Sequence, residues 1–124
     1  MFFKSKEVSI SKSDIIKEGY LEKESRYRKV WRKRWCVLTN KMLYTFEQQG
    51  SYINPTEEIE TAKMKTVKTD ETRGPKQENS NFIRIELQED VFVLKAASFE
   101  EKESWIGAIG KAMIKGSFQG PGDN

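Results

Sequence analysis

The residues best suited to chemistry in this chain are cations, and they crowd into one stretch. Residues 17–41 hold nine Lys or Arg (Lys17, Lys23, Arg26, Arg28, Lys29, Arg32, Lys33, Arg34, Lys41) against three acids, Glu18, Glu22 and Glu24. That is an excess of six positive charges within a chain whose whole net charge is +3. Residues 42–62 reverse the sign, with Glu47, Glu57, Glu58 and Glu60 and no Lys or Arg. A guanidinium offers a planar fork of donors that matches two oxygens of one phosphate, and an ammonium supplies a compact point charge. The chemistry open to such a stretch is the capture of clustered anions.

Catalytic chemistry is poorly supplied by comparison. The chain has no histidine, which removes the commonest general base and the commonest metal ligand. Cys36 is the only cysteine, so a thiol–imidazole pair, a C-x-x-C site and an intrachain disulfide are all ruled out, in keeping with a reducing compartment. No Gly-rich phosphate loop or paired-carboxylate signature is present. The expectation is a binding module that is not an enzyme and carries no cofactor or metal.

A site of this kind needs elements to position it. With 124 residues there is room for one domain with a real core, and 36% hydrophobic against 33% charged residues is a globular balance. The longest apolar runs are Trp35-Cys36-Val37-Leu38 and Val91-Phe92-Val93-Leu94, too short to span a membrane, and Met1-Phe2-Phe3 runs straight into Lys4, which excludes a signal-peptide core. Residues 19–24 and 30–39 read as two strands joined by a basic loop at 25–29, and Asn40-Lys41 as a tight turn into a third strand at 42–47. A loop follows at 50–55, then weaker strands at 58–62 and 64–68. Residues 70–81 are rich in breakers, and 82–87 with 91–96 form a hairpin. Short strands at regular spacing argue for an antiparallel barrel or sandwich.

The C-terminal segment changes period. Ser98 with Glu101 three residues on is a capping box, and Trp105, Ile106, Ile109, Ala112 and Met113 then recur at helical spacing. Glu100, Lys102, Glu103 and Lys111 are assigned to the opposite, solvent face. Gly116 is the expected stop.

The string Gly19-Tyr20-Leu21-Glu22-Lys23, then VWRKRWCVL at 30–38 and Leu43-Tyr44-Thr45-Phe46, resembles the opening three strands of a pleckstrin-homology (PH) domain. Phe92-Val93-Leu94 leading into Ser98, Trp105 and Ile109 resembles its closing strand and tryptophan-bearing helix. The resemblance covers about residues 17–115. It implies a mainly β fold, a seven-stranded antiparallel barrel or sandwich of two near-orthogonal sheets capped by one C-terminal helix. Residues 1–16 then form a flexible leader and 116–124 a tail or linker.

Residues two apart on a strand share a face, so Lys23 follows Leu21, and Arg32 and Arg34 follow Cys36 and Leu38. If the apolar members face the core, Lys23, Arg32 and Arg34 emerge together at the barrel mouth, and Lys33 points away. The resemblance implies a phosphoinositide site carried by Lys23, Arg28, Lys29, Arg32, Arg34 and Tyr44. The Lys…Lys/Arg-x-Arg pattern implies phosphatidylinositol 3,4,5-trisphosphate or 3,4-bisphosphate. Thr45 where such members often place a second tyrosine, and the absence of Lys or Arg over 48–58, leave 4,5-bisphosphate and general anionic lipid open. The implied partner is a phosphoinositide-containing membrane surface, with recruitment from the cytoplasm to the inner face of the plasma membrane. A protein-interaction role, through 42–62 or 70–81, is the alternative. Trp31 and Trp35 are expected to pack on loops or the helix rather than to stack on bases, so no nucleic-acid partner is expected, and the chain should be a monomer.

Overall fold

The computed structural model describes residues 7–25, 28–50, 52–73 and 80–117. Among the described residues there are seven strands: β1 Lys17–Glu24, β2 Trp31–Leu38, β3 Met42–Phe46, β4 Glu57–Glu60, β5 Thr66–Thr69, β6 Phe82–Glu86 and β7 Val91–Lys95. An α-helix, α1, spans Phe99–Ser117, and short 3-10 turns occur at Lys12–Asp14 and Thr61–Lys63.

The two expected sheets are joined into one. All neighbours are antiparallel, in the order β4-β3-β2-β1-β7-β6-β5. β1 is the shared strand. It pairs with β2 from Lys17 to Glu24, while Glu22 and Lys23 also pair with Lys95 and Leu94 of β7. The strand order ends at β4 and β5, and α1 packs against β5 and the 3-10 turn that links them.

The inner face carries the core. Cross-strand partners share a face, so the β1–β2 pairings Gly19↔Cys36 and Leu21↔Arg34, and Cys36↔Thr45 between β2 and β3, fix which residues look inward. Leu21, Cys36, Leu38, Leu43, Ile83 and Leu94 form its floor. On the outer face Trp35 meets Tyr20 edge-on at 4.8 Å and donates from Nε1 to Glu18 at 3.1 Å. Trp31 lies against Phe82 of β6 at 5.6 Å. Both tryptophans therefore rest on aromatic side chains of other strands rather than on loops or the helix.

Helix α1 begins as its capping residues dictate. The Glu101 amide donates to Ser98 Oγ at 3.1 Å, and the Lys102 amide to the Ser98 carbonyl at 3.0 Å. Trp105, Ile109 and Ala112 are fully buried. Lys102, assigned to the solvent face, is instead buried: three residues before Trp105 and seven before Ile109, it lies on their stripe. Its ammonium is satisfied there by Thr69 Oγ1 at 2.9 Å, by Glu103 at 3.3 Å and by the face of Phe99. The helix runs on to Ser117, and Gly116 within it lies close to Thr61 and the Asn40 carbonyl.

Part of the leader is docked. The Val8 amide donates to the Tyr52 carbonyl, Glu7 forms a bridge with Ile53, and the Ile16 amide donates to the Leu38 carbonyl. The turn anticipated near Asp14 is the 3-10 turn Lys12–Asp14. Residues 1–6, half of the 70–81 loop (74–79) and the tail beyond Ser117 lie outside the described residues.

Candidate functional site

The basic face is built by the β1–β2 ladder. Lys23 pairs directly with Arg32, and Leu21 with Arg34, so all four side chains share the inner face with Cys36. Depth is graded along it. Cys36 and Leu21 are buried, Lys23 is 8% exposed, Arg34 is half-buried and Arg32 is exposed. An apolar floor thus rises to a charged rim where β1 and β2 enter their connecting loop.

Burial obliges Lys23 to find partners. Its Nζ lies 3.2 Å from Glu57 Oε1, 3.4 Å from the Glu24 carbonyl oxygen and 5.3 Å from the centre of the Phe92 ring. Arg34 donates from Nη1 to the Lys33 carbonyl at 3.3 Å. Among the described residues neither Arg32 nor Arg34 is ion-paired.

Lys33 lies on the other face. It pairs with Glu22, and its ammonium sits 4.2 Å from the centre of the Tyr20 ring. Tyr44 also departs from the set expected around the phosphates. It is opposite Val37 on β2 and Glu58 on β4, which puts it on the outer face, and its ring stacks with Phe46. The physical reason is strand phase. Thr45, not Tyr44, is the β3 residue opposite Cys36, and its hydroxyl is engaged with Thr56 Oγ1 at 2.6 Å.

Arg28 and Lys29 are exposed in the β1–β2 loop. Ser25 organises this turn: its hydroxyl accepts from the Arg28 amide, its carbonyl accepts from the Lys29 amide, and Lys29 has a φ of 56°. Arg26 lies outside the described residues. Lys29 borders a separate open cleft of about 720 Å³ between this loop and the β6–β7 hairpin. There Lys29, Lys65, Arg73 and Arg84 are matched by Glu24, Glu86, Glu89 and Asp90. Arg73 already pairs with Glu24 at 2.9 Å and Arg84 with Glu86 at 2.7 Å. The Arg84 guanidinium and then the Thr66 hydroxyl hold the Glu86 carboxyl down at about 2. A cleft so balanced offers little to an added anion.

Glu57 is the member of the site that sequence reading missed, because it was counted with the acidic segment. Its phase was available: it lies two residues before the buried Ile59 on β4 and opposite the inward Thr45. Burial pushes the Cys36 thiol up to about 12, so it stays protonated and is no nucleophile.

The family model described as PH domain matches residues 15–113. Among curated proteins, Src kinase-associated phosphoprotein 2-A of Xenopus laevis is 31% identical over 106 residues, covering 77% of this chain. The chain spans 30% of that protein's length. Among solved structures, the C-terminal PH domain of pleckstrin in complex with D-myo-Ins(1,2,3,4,5)P5 is 29% identical, with a TM-score of 0.65 over 79% of this chain and 97% of that one. The solution structure of the C-terminal PH domain of human pleckstrin, also 29% identical, gives a TM-score of 0.71 over 94% of this chain and 95% of that one.

Proposed function

The chain belongs to the PH domain family, many of whose members bind phosphoinositides or proteins, and from that premise we propose that it binds phosphoinositide headgroups through Lys23, Arg32 and Arg34. The observation that carries this reading is the register Lys23↔Arg32 and Leu21↔Arg34, which sets three cations on one face at graded depth. Lys23 meets the most deeply seated phosphate, and the two arginine forks hold the others at the rim. Exposed Arg28 and Lys29 add a diffuse attraction to an anionic surface, worth about 1 kcal/mol per cation. The function that follows is recruitment of the protein carrying this domain from the cytoplasm to the inner face of the plasma membrane.

Three cations at three depths suit a headgroup with several phosphates, and phosphatidylinositol 3,4,5-trisphosphate and 3,4-bisphosphate are the favoured ligands. With Tyr44 on the outer face and the Thr45 hydroxyl engaged, that preference rests on the cations alone. A vesicle panel at two salt concentrations tests it. Vesicles with 3-phosphorylated headgroups should bind at least tenfold more tightly than phosphatidylserine vesicles, and the difference should survive the higher salt. Equal binding to phosphatidylserine would refute a specific site.

One observation favours a protein-binding reading. Ile16, 43% exposed, lies just before β1, and Tyr20, 40% exposed, lies on the outer side of β1, opposite the basic face. Failure to bind any phosphoinositide vesicle would transfer the function to that face.

A further inference from the structure

Lys23 is the deepest cation of the basic face, and the structure already gives it an anion from the same chain. The pair is not a contact between neighbouring strands. In the strand order β4-β3-β2-β1, Glu57 on β4 and Lys23 on β1 are separated by two strands. At about 4.8 Å between strands, a flat sheet would hold their backbones about 14 Å apart. The 3.2 Å approach of Lys23 Nζ to Glu57 Oε1 therefore crosses the hollow of the curled sheet, over the floor of the basic face. The Glu57 side chain is 25% exposed and that of Lys23 is 9% exposed, so the lysine is the covered partner and the carboxylate reaches it from the more open side. Among the described residues Arg34 and Arg32 have no carboxylate partner; Arg34 donates only to the Lys33 carbonyl.

We propose that Glu57 is an internal competitor for the headgroup and sets the affinity of the site. The proposal rests on the headgroup reading above and names the residue that tunes it. A phosphate entering the basic face must take the Lys23 ammonium from the Glu57 carboxylate, and both anions then crowd one cation. Exchange of a carboxylate for a phosphate at Lys23 alone gains little, since one ion pair replaces another. A productive ligand is one whose further phosphates also reach Arg32 and Arg34, which no carboxylate among the described residues holds. Glu57 therefore biases the face towards clustered phosphomonoesters on an inositol ring. It is a specificity-determining residue whose removal should strengthen binding, the reverse of what loss of a charged contact residue does.

The test uses Glu57→Gln, which keeps the shape and removes the charge, with Glu57→Ser as a smaller neutral variant should the glutamine protein fail to fold. Circular dichroism establishes folding. Soluble inositol 1,3,4,5-tetrakisphosphate is titrated by calorimetry, and vesicles containing phosphatidylinositol 3,4,5-trisphosphate are titrated in parallel, to separate free ligand from lipid. Both arms should tighten about tenfold on neutralisation, which corresponds to about 1.4 kcal/mol. A carboxylate that served only to stabilise Lys23 in the fold would leave the affinity unchanged or weaker in a folded variant, and that result overturns the proposal. A gain confined to vesicles would mark a general change of surface potential and would also overturn it. If the unsubstituted chain binds and the variant gains nothing, only the role of Glu57 falls. If neither binds either probe, the headgroup reading falls, and this inference with it.

Discussion

Replacing Trp105 by alanine is the severest test of how the fold is closed. The indole is fully buried, with Ile109 and Ala112 on the same stripe of α1. Its Cζ2 lies 3.7 Å from where a Cβ on Gly19 would sit, and the Lys17 ammonium is 5.2 Å from its ring centre. It thus spans from α1 to the start of β1. Truncation of a buried tryptophan costs about 3–5 kcal/mol through lost transfer free energy and the cavity left behind. No hydrogen bond is forfeited, because Nε1 has no partner among the described residues, so the cost is that of packing alone. For a chain between the size classes where 1 kcal/mol shifts Tm by about 4–8 °C and by about 2–4 °C, the melt should fall by roughly 10–20 °C. Trp105→Phe, which keeps an aromatic ring and removes the unpartnered N–H, should lose less than half as much. Thermal melts by circular dichroism and urea titrations measure both. A Trp105→Ala protein within 1 kcal/mol of the parent would mean that the helix does not close this core.

The glycines of α1 should respond in opposite directions. Gly107→Ala, with nothing within 4 Å of the new methyl, should stabilise the domain by about 0.5–1 kcal/mol through helix propensity. Gly116→Ala places a methyl 2.5 Å from Thr61 Oγ1 and 3.0 Å from the Asn40 carbonyl, atoms already bonded to each other, and should destabilise by about 1–3 kcal/mol; urea unfolding compares the two. The third expectation concerns acid. Glu86 is lowered from the usual 4.5 to about 2 by Arg84 and then Thr66, so its folded value lies below its unfolded one. Its contribution is therefore complete above pH 4.5 and drains as pH falls towards 2, and Glu86→Gln should flatten that part of the stability–pH curve.

Much of this architecture could be read from period alone. The alternation in Leu21, Lys23, Arg32, Arg34 and Cys36 is a property of extended backbone, and the ladder places all five on one face as that alternation requires. Ser98 and the Trp105–Ile109–Ala112 stripe were equally local. Several of the departures came from contacts distant in sequence. Lys102 follows the same helical stripe, but its charge argued for solvent; Thr69, thirty-three residues away, makes its burial tolerable. Tyr44 was grouped with the cations by the family resemblance, against its own phase opposite Val37. That β1 would serve both halves of the sheet depended on a two-residue pairing with β7, for which its sequence carries no separate signal. The docking of residues 7–16 rests on backbone bonds to Leu38 and Tyr52, and backbone bonding leaves no trace in side-chain pattern.

The headgroup claim is met most directly by titrating soluble inositol 1,3,4,5-tetrakisphosphate into the parent, Arg32→Ala, Lys33→Ala and Arg34→Ala. Each variant removes one positive charge from the same strand, so charge alone would make the three equal. Strand phase does not, because Arg32 and Arg34 share a face with Lys23 while Lys33 lies over Tyr20 on the other. A charge-assisted contact to phosphate is worth about 1.5–3 kcal/mol. Arg34→Ala and Arg32→Ala should therefore each bind at least tenfold more weakly, at about 1.4 kcal/mol per decade. Lys33→Ala should lose less than about threefold, and added salt should erase that loss. Equal losses across the three variants, or no binding by the parent, would contradict a headgroup site on this face.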